Sequence, residues 1–171
     1  MKKGLKINMS KKAQFEMGFS MIFSIIVIIA IIGVSVYVIN FFLKIDECGD
    51  VGFFYKDLQD EVDKAWRTSI YRGDFADKTP NKIEQVCFGN INDRGNDEIS
   101  EQIRIKINEL VYAVDETNIF LYPLEKACDA DLAYNKINHV EIEGFFCIEA
   151  ENFKLKLEKE TTDSLVKLSK P

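Results

Sequence analysis

The amino-acid sequence predicts an α+β fold: an N-terminal transmembrane helix, then one extracytoplasmic domain in which one or two helices cover an antiparallel sheet. Three observations lead to this prediction. Positions Met17 to Leu43 are 27 consecutive residues without a charge. Residues 44–171 begin with helical periodicity and continue with short stretches typical of strands, of which Phe153–Glu158 alternates between apolar and charged residues. All four cysteines lie beyond the uncharged stretch, which predicts two disulfides.

The uncharged stretch is long enough to cross a bilayer. At about 1.5 Å per residue, a helix of this length measures roughly 40 Å, against a hydrocarbon core of about 30 Å. A cleaved secretory signal is the alternative, but its apolar region covers only about 7 to 15 residues. This stretch passes the small residues Gly33 and Ser35 and continues to Phe42. The sequence therefore predicts a retained transmembrane helix over 17–43.

Charges beside the stretch predict its orientation. Residues 1–16 carry five lysines and one glutamate, and acidic residues follow soon after the stretch. Lysines next to a span stay on the cytoplasmic side. We therefore expect a single-pass protein of the cell membrane, with a cytoplasmic basic tail over 1–16 and an extracytoplasmic domain over 44–171. The lysines that set this topology are Lys2, Lys3, Lys6, Lys11 and Lys12.

An amphipathic helix is predicted after the span, at about 51–71. Asp50 fits its N-cap and Gly73 its end, and a short break at Asp46–Gly49 would separate it from the membrane helix. We expect its aromatic residues to face a core rather than the bilayer interface. The apolar residues at helical spacing are Val51, Phe54, Leu58, Val62, Ala65, Trp66 and Ile70, with Phe53 and Tyr55 completing the aromatic group.

The rest of the domain is predicted to hold a sheet and a second helix. Apolar residues recur every three or four positions over Asp97–Ala113, which favours a helix, although Ile103–Ile107 also alternates like a strand. Glu151–Asn152 is predicted to turn one pair of strands into a hairpin. The predicted strands are Ile83–Phe88, Asn118–Tyr122, Phe145–Ala150, Phe153–Glu158 and Leu165–Leu168.

The cysteines are expected to form disulfides, because an even number in an exported domain is typical of them. We favour the pairing in which each bond closes a sequential loop, and each bond would stabilise the domain by about 3 to 4 kcal/mol. Zinc is the alternative, but the spacings contain no C-x-x-C pair. The single histidine, His139, is expected to be a surface residue near a turn. The favoured pairs are Cys48–Cys87 and Cys128–Cys147.

One loop partly matches a twelve-residue calcium-binding loop. Residues Asn90–Glu101 place Gly95 at the sixth position and Glu101 at the twelfth. However, Asn90 stands where the first acidic ligand is needed, and Arg94 puts a cation at a coordinating position. We therefore expect a solvated loop before a helix, and no metal site.

Charge and motifs predict neither nucleic-acid binding nor catalysis. The whole chain carries −6 and residues 1–16 carry +4, so the remainder carries −10, which repels phosphate. With the thiols in disulfides and one imidazole in the chain, no nucleophile with its base is evident. We expect no enzyme activity, no cofactor, and no catalytic, cofactor-binding or metal-binding residue.

The N-terminus also resembles a known signal. The residues Lys11-Lys12-Ala13-Gln14-Phe15-Glu16, running into the apolar stretch, resemble the class III signal of archaeal type IV pilin-like proteins. In that family a peptidase cuts after a small residue, and the hydrophobic helix is retained for assembly. The resemblance, over about residues 11–40, implies a processing site between Ala13 and Gln14. Many pilins carry glutamate at the fifth mature position, which is Gly18 here, whereas Glu16 falls at the third.

The domain resembles a group of small uncharacterised membrane-anchored proteins from host-dependent archaea. The resemblance lies in Cys48, the run Phe53–Val62 and the segment Val86–Gly89, and it implies a shared extracytoplasmic fold without an activity.

The expected function is the surface display of a disulfide-stabilised domain with a structural or interaction role. The alternative is a type IV pilin-like subunit, processed after Ala13 and assembled into a filament or secretion complex. The expected partners are the lipid bilayer and either further copies or other surface proteins, bound through the domain or through small residues of the span such as Ser20 and Ser24.

Overall fold

The computed structural model describes residues 11–111 and 116–171, without the side chains of residues 11–20 and 44–47. Backbone contacts divide the chain into two units, Met1–Leu43 and Lys44–Pro171. Within the described residues, the first unit is part of one long apolar helix, and the second is an α+β unit with two disulfides. The predicted fold class is thus confirmed at the level of an α+β chain with an apolar N-terminal helix.

Helix α1 runs from Lys11 to Trp66. Its backbone stays helical through Asp46–Gly49, so the predicted break at this segment is wrong. The segment contains no proline that would remove a backbone donor, and one glycine in a helix interior costs only about 1 kcal/mol relative to alanine. A strongly apolar stretch and an amphipathic stretch are therefore parts of the same helix.

The end of α1 is fixed by side chains that bind its last carbonyl groups. Thr68 Oγ1 donates to the Ala65 carbonyl at 2.7 Å, and Lys159 Nζ donates to the Trp66 and Thr68 carbonyls at 2.5 and 3.0 Å. A cation at this position also complements the negative end of the helix dipole. The helix consequently ends before the predicted boundary at 71, and Ile70 is 59% exposed rather than part of the core.

Eight strands and a second helix, α2 (Glu98–Leu110), follow within the described residues of the second unit. The strands are β1 (Tyr71–Phe75), β2 (Gln85–Phe88), β3 (Ile119–Tyr122), β4 (Tyr134–Asn135), β5 (Val140–Ile142), β6 (Phe146–Glu149), β7 (Leu155–Lys159) and β8 (Val166–Ser169).

The strands form two sheets, which corrects the prediction of one. The first sheet has the order β1-β7-β8-β5, antiparallel except for the parallel β5–β8 pair, and the second has the order β4-β3-β2-β6, antiparallel throughout. The predicted β6–β7 hairpin is also wrong. The Ala150 N–H donates to the Glu84 carbonyl at 2.9 Å, which keeps the end of β6 beside β2. After Glu151–Asn152 the chain enters the other sheet.

The five predicted strands are confirmed as β2, β3, β6, β7 and β8, whereas β1, β4 and β5 were missed. The missed β1 includes Gly73, which was interpreted as a helix end and instead pairs with Leu157 of β7. The missed β4 and β5 have two and three residues, too few for alternation to be recognisable.

One hydrophobic core joins α1 to both sheets. Phe54 of α1 lies 6.1 Å from Phe75 of β1 and 5.4 Å from Phe153, which in turn lies 6.3 Å from Phe88 of β2 (ring centroids). Aromatic pairs at these distances each contribute roughly 0.5 to 1.5 kcal/mol beyond the area that they bury. Phe54 and Tyr55 are buried as predicted, but Phe53 is 65% exposed. The predicted helix residues with 2% exposure or less are Val51, Phe54, Leu58, Val62 and Ala65.

Helix α2 begins with a side-chain cap. The Asp97 carboxylate accepts hydrogen bonds from the Ser100 N–H at 2.8 Å and from its hydroxyl at 2.9 Å. Ile103 and Ile107 are buried on one face, as helical spacing requires, so the helix prediction is confirmed and the strand alternative is wrong.

Replacing this cap is expected to destabilise the second unit modestly. The substitution Asp97→Ala should lower the free energy of unfolding by about 1 kcal/mol, because the first turn of α2 loses an acceptor for its free N–H groups. Asp97→Asn keeps an acceptor and should retain most of the stability. Equal guanidinium midpoints for Asp97→Ala and the unsubstituted protein would contradict this prediction.

Candidate functional site

The most distinctive surface of the chain is the apolar stretch of α1. Every side chain from Met21 to Leu43 is exposed in the isolated chain. In the described residues, α1 is the one helix long and apolar enough to cross a membrane. Exposing such a surface to water is strongly unfavourable, because moving one CH₂ group out of water lowers the free energy by about 0.8 kcal/mol.

The structure describes the predicted N-terminal site residues only in part. Lys2, Lys3 and Lys6 lie outside the described residues. For the remaining site residues the structure describes a helical backbone but not the side chains. These residues are Lys11, Lys12, Ala13 and Gln14.

The cysteines form two disulfides, but the favoured pairing is wrong. The bonds are Cys48–Cys128 and Cys87–Cys147. Cys87 of β2 stands directly opposite Cys147 of β6 in the sheet register, with the two Cα atoms 3.9 Å apart. The sequence separation of the cysteines was a poor guide to their pairing, because the entropic cost of loop closure rises only slowly with loop length. For Cys87 and Cys147, the pairing of β2 with β6 selects the partners instead.

His139 packs on the end of α1. Its side chain is 38% exposed, its Nδ1 lies 3.0 Å from Asp63 Oδ1, and its ring stacks on Trp66 with the centroids 3.9 Å apart. The hydrogen bond from His139 lowers the pKa of Asp63, with a further contribution from Gln59. The prediction of a surface residue near a turn missed both partners, which lie more than seventy positions away in the sequence. The contacts dock the loop before β5 onto α1.

The partial calcium loop is closed by its own side chains. Glu101 accepts a hydrogen bond from the Gly95 N–H at 2.6 Å and pairs with Arg104 at 2.7 Å. Arg104 also donates to the Ile91 carbonyl at 2.8 Å. The carboxylate that would be the twelfth calcium ligand is thus used within the loop. In the described part of the chain, no three His, Cys, Asp or Glu side chains gather as a metal-binding group.

The Gly95–Glu101 contact is expected to persist in moderately acidic solution. The Arg104 side chain, helped by the Gly95 N–H, lowers the pKa of Glu101 from 4.5 to about 2. The unfolded chain therefore takes up this proton first as the pH falls, so stability from this group is complete above pH 4.5 and is lost towards pH 2. The Gly95 amide resonance should titrate near pH 2 in NMR spectra. The control Glu101→Gln should remove this titration, and a Gly95 midpoint near pH 4.5 would contradict the prediction.

Two open clefts flank the C-terminal residues of the second unit. The first has a volume of about 610 Å³ and includes Asp97, Ile99 and Lys170 in its lining, but Lys170 Nζ contacts Asp97 Oδ2 at 2.5 Å. The second, of about 420 Å³, is lined by carboxylates and ammonium groups together, among them Glu158 and Lys167. Each cleft contains charges of both signs, and in the second cleft Lys167 pairs with Asp163 outside the lining. This arrangement is more typical of a solvated surface than of a reaction centre.

Comparison of the chain with protein-family models, curated proteins and solved structures finds no match.

Proposed function

We propose that this chain is a single-pass membrane protein that displays its α+β unit outside the cytoplasm, as a structural or interaction module. The observation that carries the proposal is the exposed apolar stretch of α1, Met21–Leu43. In water this surface would drive aggregation, whereas hydrocarbon solvates it and the helix satisfies its own backbone hydrogen bonds.

The orientation rests on charge and on the disulfides. The lysines of residues 1–16 oppose translocation, so the N-terminus stays in the cytoplasm. The second unit holds all four cysteines in disulfides, which form and persist in oxidising, extracytoplasmic compartments. The lysines and the disulfides both support an extracytoplasmic position for residues 44–171.

Fractionation and protease accessibility test this proposal. The full chain with a C-terminal epitope should remain in the membrane fraction after alkaline carbonate washing, and protease added to intact cells should remove the epitope. A matched chain with the epitope at the N-terminus should be protected. Extraction by carbonate would overturn the anchor, and protection of the C-terminal epitope alone would overturn the orientation.

A pilin-like subunit is the second candidate, and the continuity of α1 favours it. The described helix includes Gln14 and continues to Trp66, so a cut after Ala13 leaves the retained chain helical from its first residue. The product would begin at Gln14, and its helix would still include both the apolar stretch and the residues from Val51 to Ala65 that pack in the core. In the pilin-like proteins that the N-terminus resembles, the hydrophobic helix is likewise retained after the cut and is used for assembly.

The mature N-terminus distinguishes the two candidates. Intact mass and N-terminal sequencing of the protein from native membranes should give Gln14 if the chain is processed, and a residue at or near Met1 if it is displayed unprocessed. Ala13→Arg should block the cut, and Ala30→Ser, a control in the span, should not. A start at Met1 would overturn the pilin-like candidate.

A further inference from the structure

The uncharged stretch is longer than a bilayer requires. Its 27 residues make about 40 Å of helix, and placing all of it in a core of about 30 Å needs a tilt of roughly 40°. That tilt is at the upper end of the observed range, whose average is about 20°. At the average tilt about 21 residues fill the core, so one end of the stretch lies outside the hydrocarbon.

Polar side chains identify which end lies outside. Asn40 is exposed on α1, and an amide moved into hydrocarbon without a hydrogen-bond partner is strongly disfavoured. Tyr37, 71% exposed, carries a hydroxyl group with the same requirement. Ser35 differs, because its hydroxyl donates to the Ile31 carbonyl at 2.7 Å and is satisfied within the helix. Ser24 also has a partner, so among the side chains described from Met21 onward the polar groups without a hydrogen bond begin at Tyr37.

Aromatic rings accompany these polar groups. Tyr37 stacks on Phe41 with ring centroids 6.4 Å apart, and Phe41 meets Phe42 edge-on at 6.2 Å. Tyrosine is enriched where hydrocarbon meets headgroups, because its ring is apolar and its hydroxyl group needs a polar partner. From Ser24 to Val36 the stretch contains no aromatic residue.

We infer that the hydrocarbon core holds Met17–Val36, and that Tyr37–Leu43 binds the headgroup region on the extracytoplasmic side. Met17–Val36 is about 30 Å long at 1.5 Å per residue, and it starts directly after Glu16, the last charge of the tail. Tyr37 and Asn40 then meet lipid phosphate, ester groups and water. This inference rests on the proposed membrane anchor and specifies which lipid groups contact which residues.

Tryptophan fluorescence in brominated lipids tests the depth of each position. The full chain is reconstituted in phosphatidylcholine vesicles with bromine near the headgroups or near the chain ends. Trp66→Phe removes the natural tryptophan and keeps an aromatic ring against His139. In this background, Tyr37→Trp reports the proposed interface, and Ile29→Trp is the matched control in the middle of the core. Circular dichroism against the unsubstituted protein checks that the second unit is folded.

The expected result is that Tyr37→Trp loses more fluorescence with shallow bromine and Ile29→Trp loses more with deep bromine. If both lose more with deep bromine, the anchor stands and the inference is overturned. If neither is quenched in a folded protein, the membrane anchor itself fails, and the inference fails with it.

Discussion

The double substitution Cys87→Ala/Cys147→Ala is expected to destabilise the second unit by about 6 kcal/mol. The chain-entropy model assigns about 4 kcal/mol to a bond that closes a loop of this length, with 60 positions between the cysteines. Both residues are at most 5% exposed, so each lost sulfur also leaves a cavity worth about 1 kcal/mol. Small domains are stable by about 5 to 15 kcal/mol in total, so much of this unit's stability depends on the bond.

The second disulfide provides the matched control. The sequence separation of Cys48 and Cys128 is 80, which changes the entropic contribution by only about 0.3 kcal/mol. Cys48 is only partly buried, so Cys48→Ala/Cys128→Ala should cost less, about 4 kcal/mol. Guanidinium unfolding in detergent, followed through Trp66, measures both. If the control variant loses as much stability or more, burial of the Cys87–Cys147 disulfide contributes nothing to the free energy of unfolding.

The double substitution Ile28→Asp/Ile32→Asp is expected to abolish membrane retention, whereas Ile28→Asp alone should be tolerated. The apolar residues of the stretch together favour insertion by roughly 6 kcal/mol, at about 0.3 to 0.6 kcal/mol each. A charge at the centre of a span costs about 3 kcal/mol, and the isoleucine contribution is lost as well. One aspartate therefore leaves insertion favourable, whereas two aspartates cancel the free energy that favours insertion.

The control for this prediction places the same change on another exposed apolar surface. Ile99 and Ile105 of α2 are 61% and 45% exposed, and Ile99→Asp/Ile105→Asp should stay in the carbonate-resistant fraction. Quantitative blotting of the membrane and soluble fractions measures the result. Retention of the Ile28→Asp/Ile32→Asp protein in the membrane would contradict the assignment of α1 as the anchor.

Local patterns predicted local structure well. The buried residues from Val51 to Ala65 follow from helical spacing alone. The strands with four or more residues were found, except β1. That strand was missed because the helical spacing continues to Ile70, while the actual end of α1 depends on Lys159, which is distant in the sequence. No property of residues 66–71 alone shows this contact.

Pairing between distant segments could not be predicted in the same way. The choice between one sheet and two depends on whether β6 and β7 separate at Glu151–Asn152, and either arrangement satisfies the alternation. The Cys87–Cys147 bond follows from the pairing of β2 with β6, whereas Cys48 of α1 and Cys128 meet outside the strands. The internal use of Glu101 was also hidden, because its partner Gly95 became recognisable only once the loop and α2 were placed together.

The disulfides interlock along the chain, in the order Cys48, Cys87, Cys128 and Cys147 with alternate partners. A single peptide-bond cleavage at any position between Cys48 and Cys147 therefore leaves both fragments covalently joined. The sequential pairing would have released everything after a cut between Cys87 and Cys128. A protease that cuts any one loop in this range therefore cannot separate the second unit from the apolar stretch of α1, and the fragments stay joined until a disulfide is reduced.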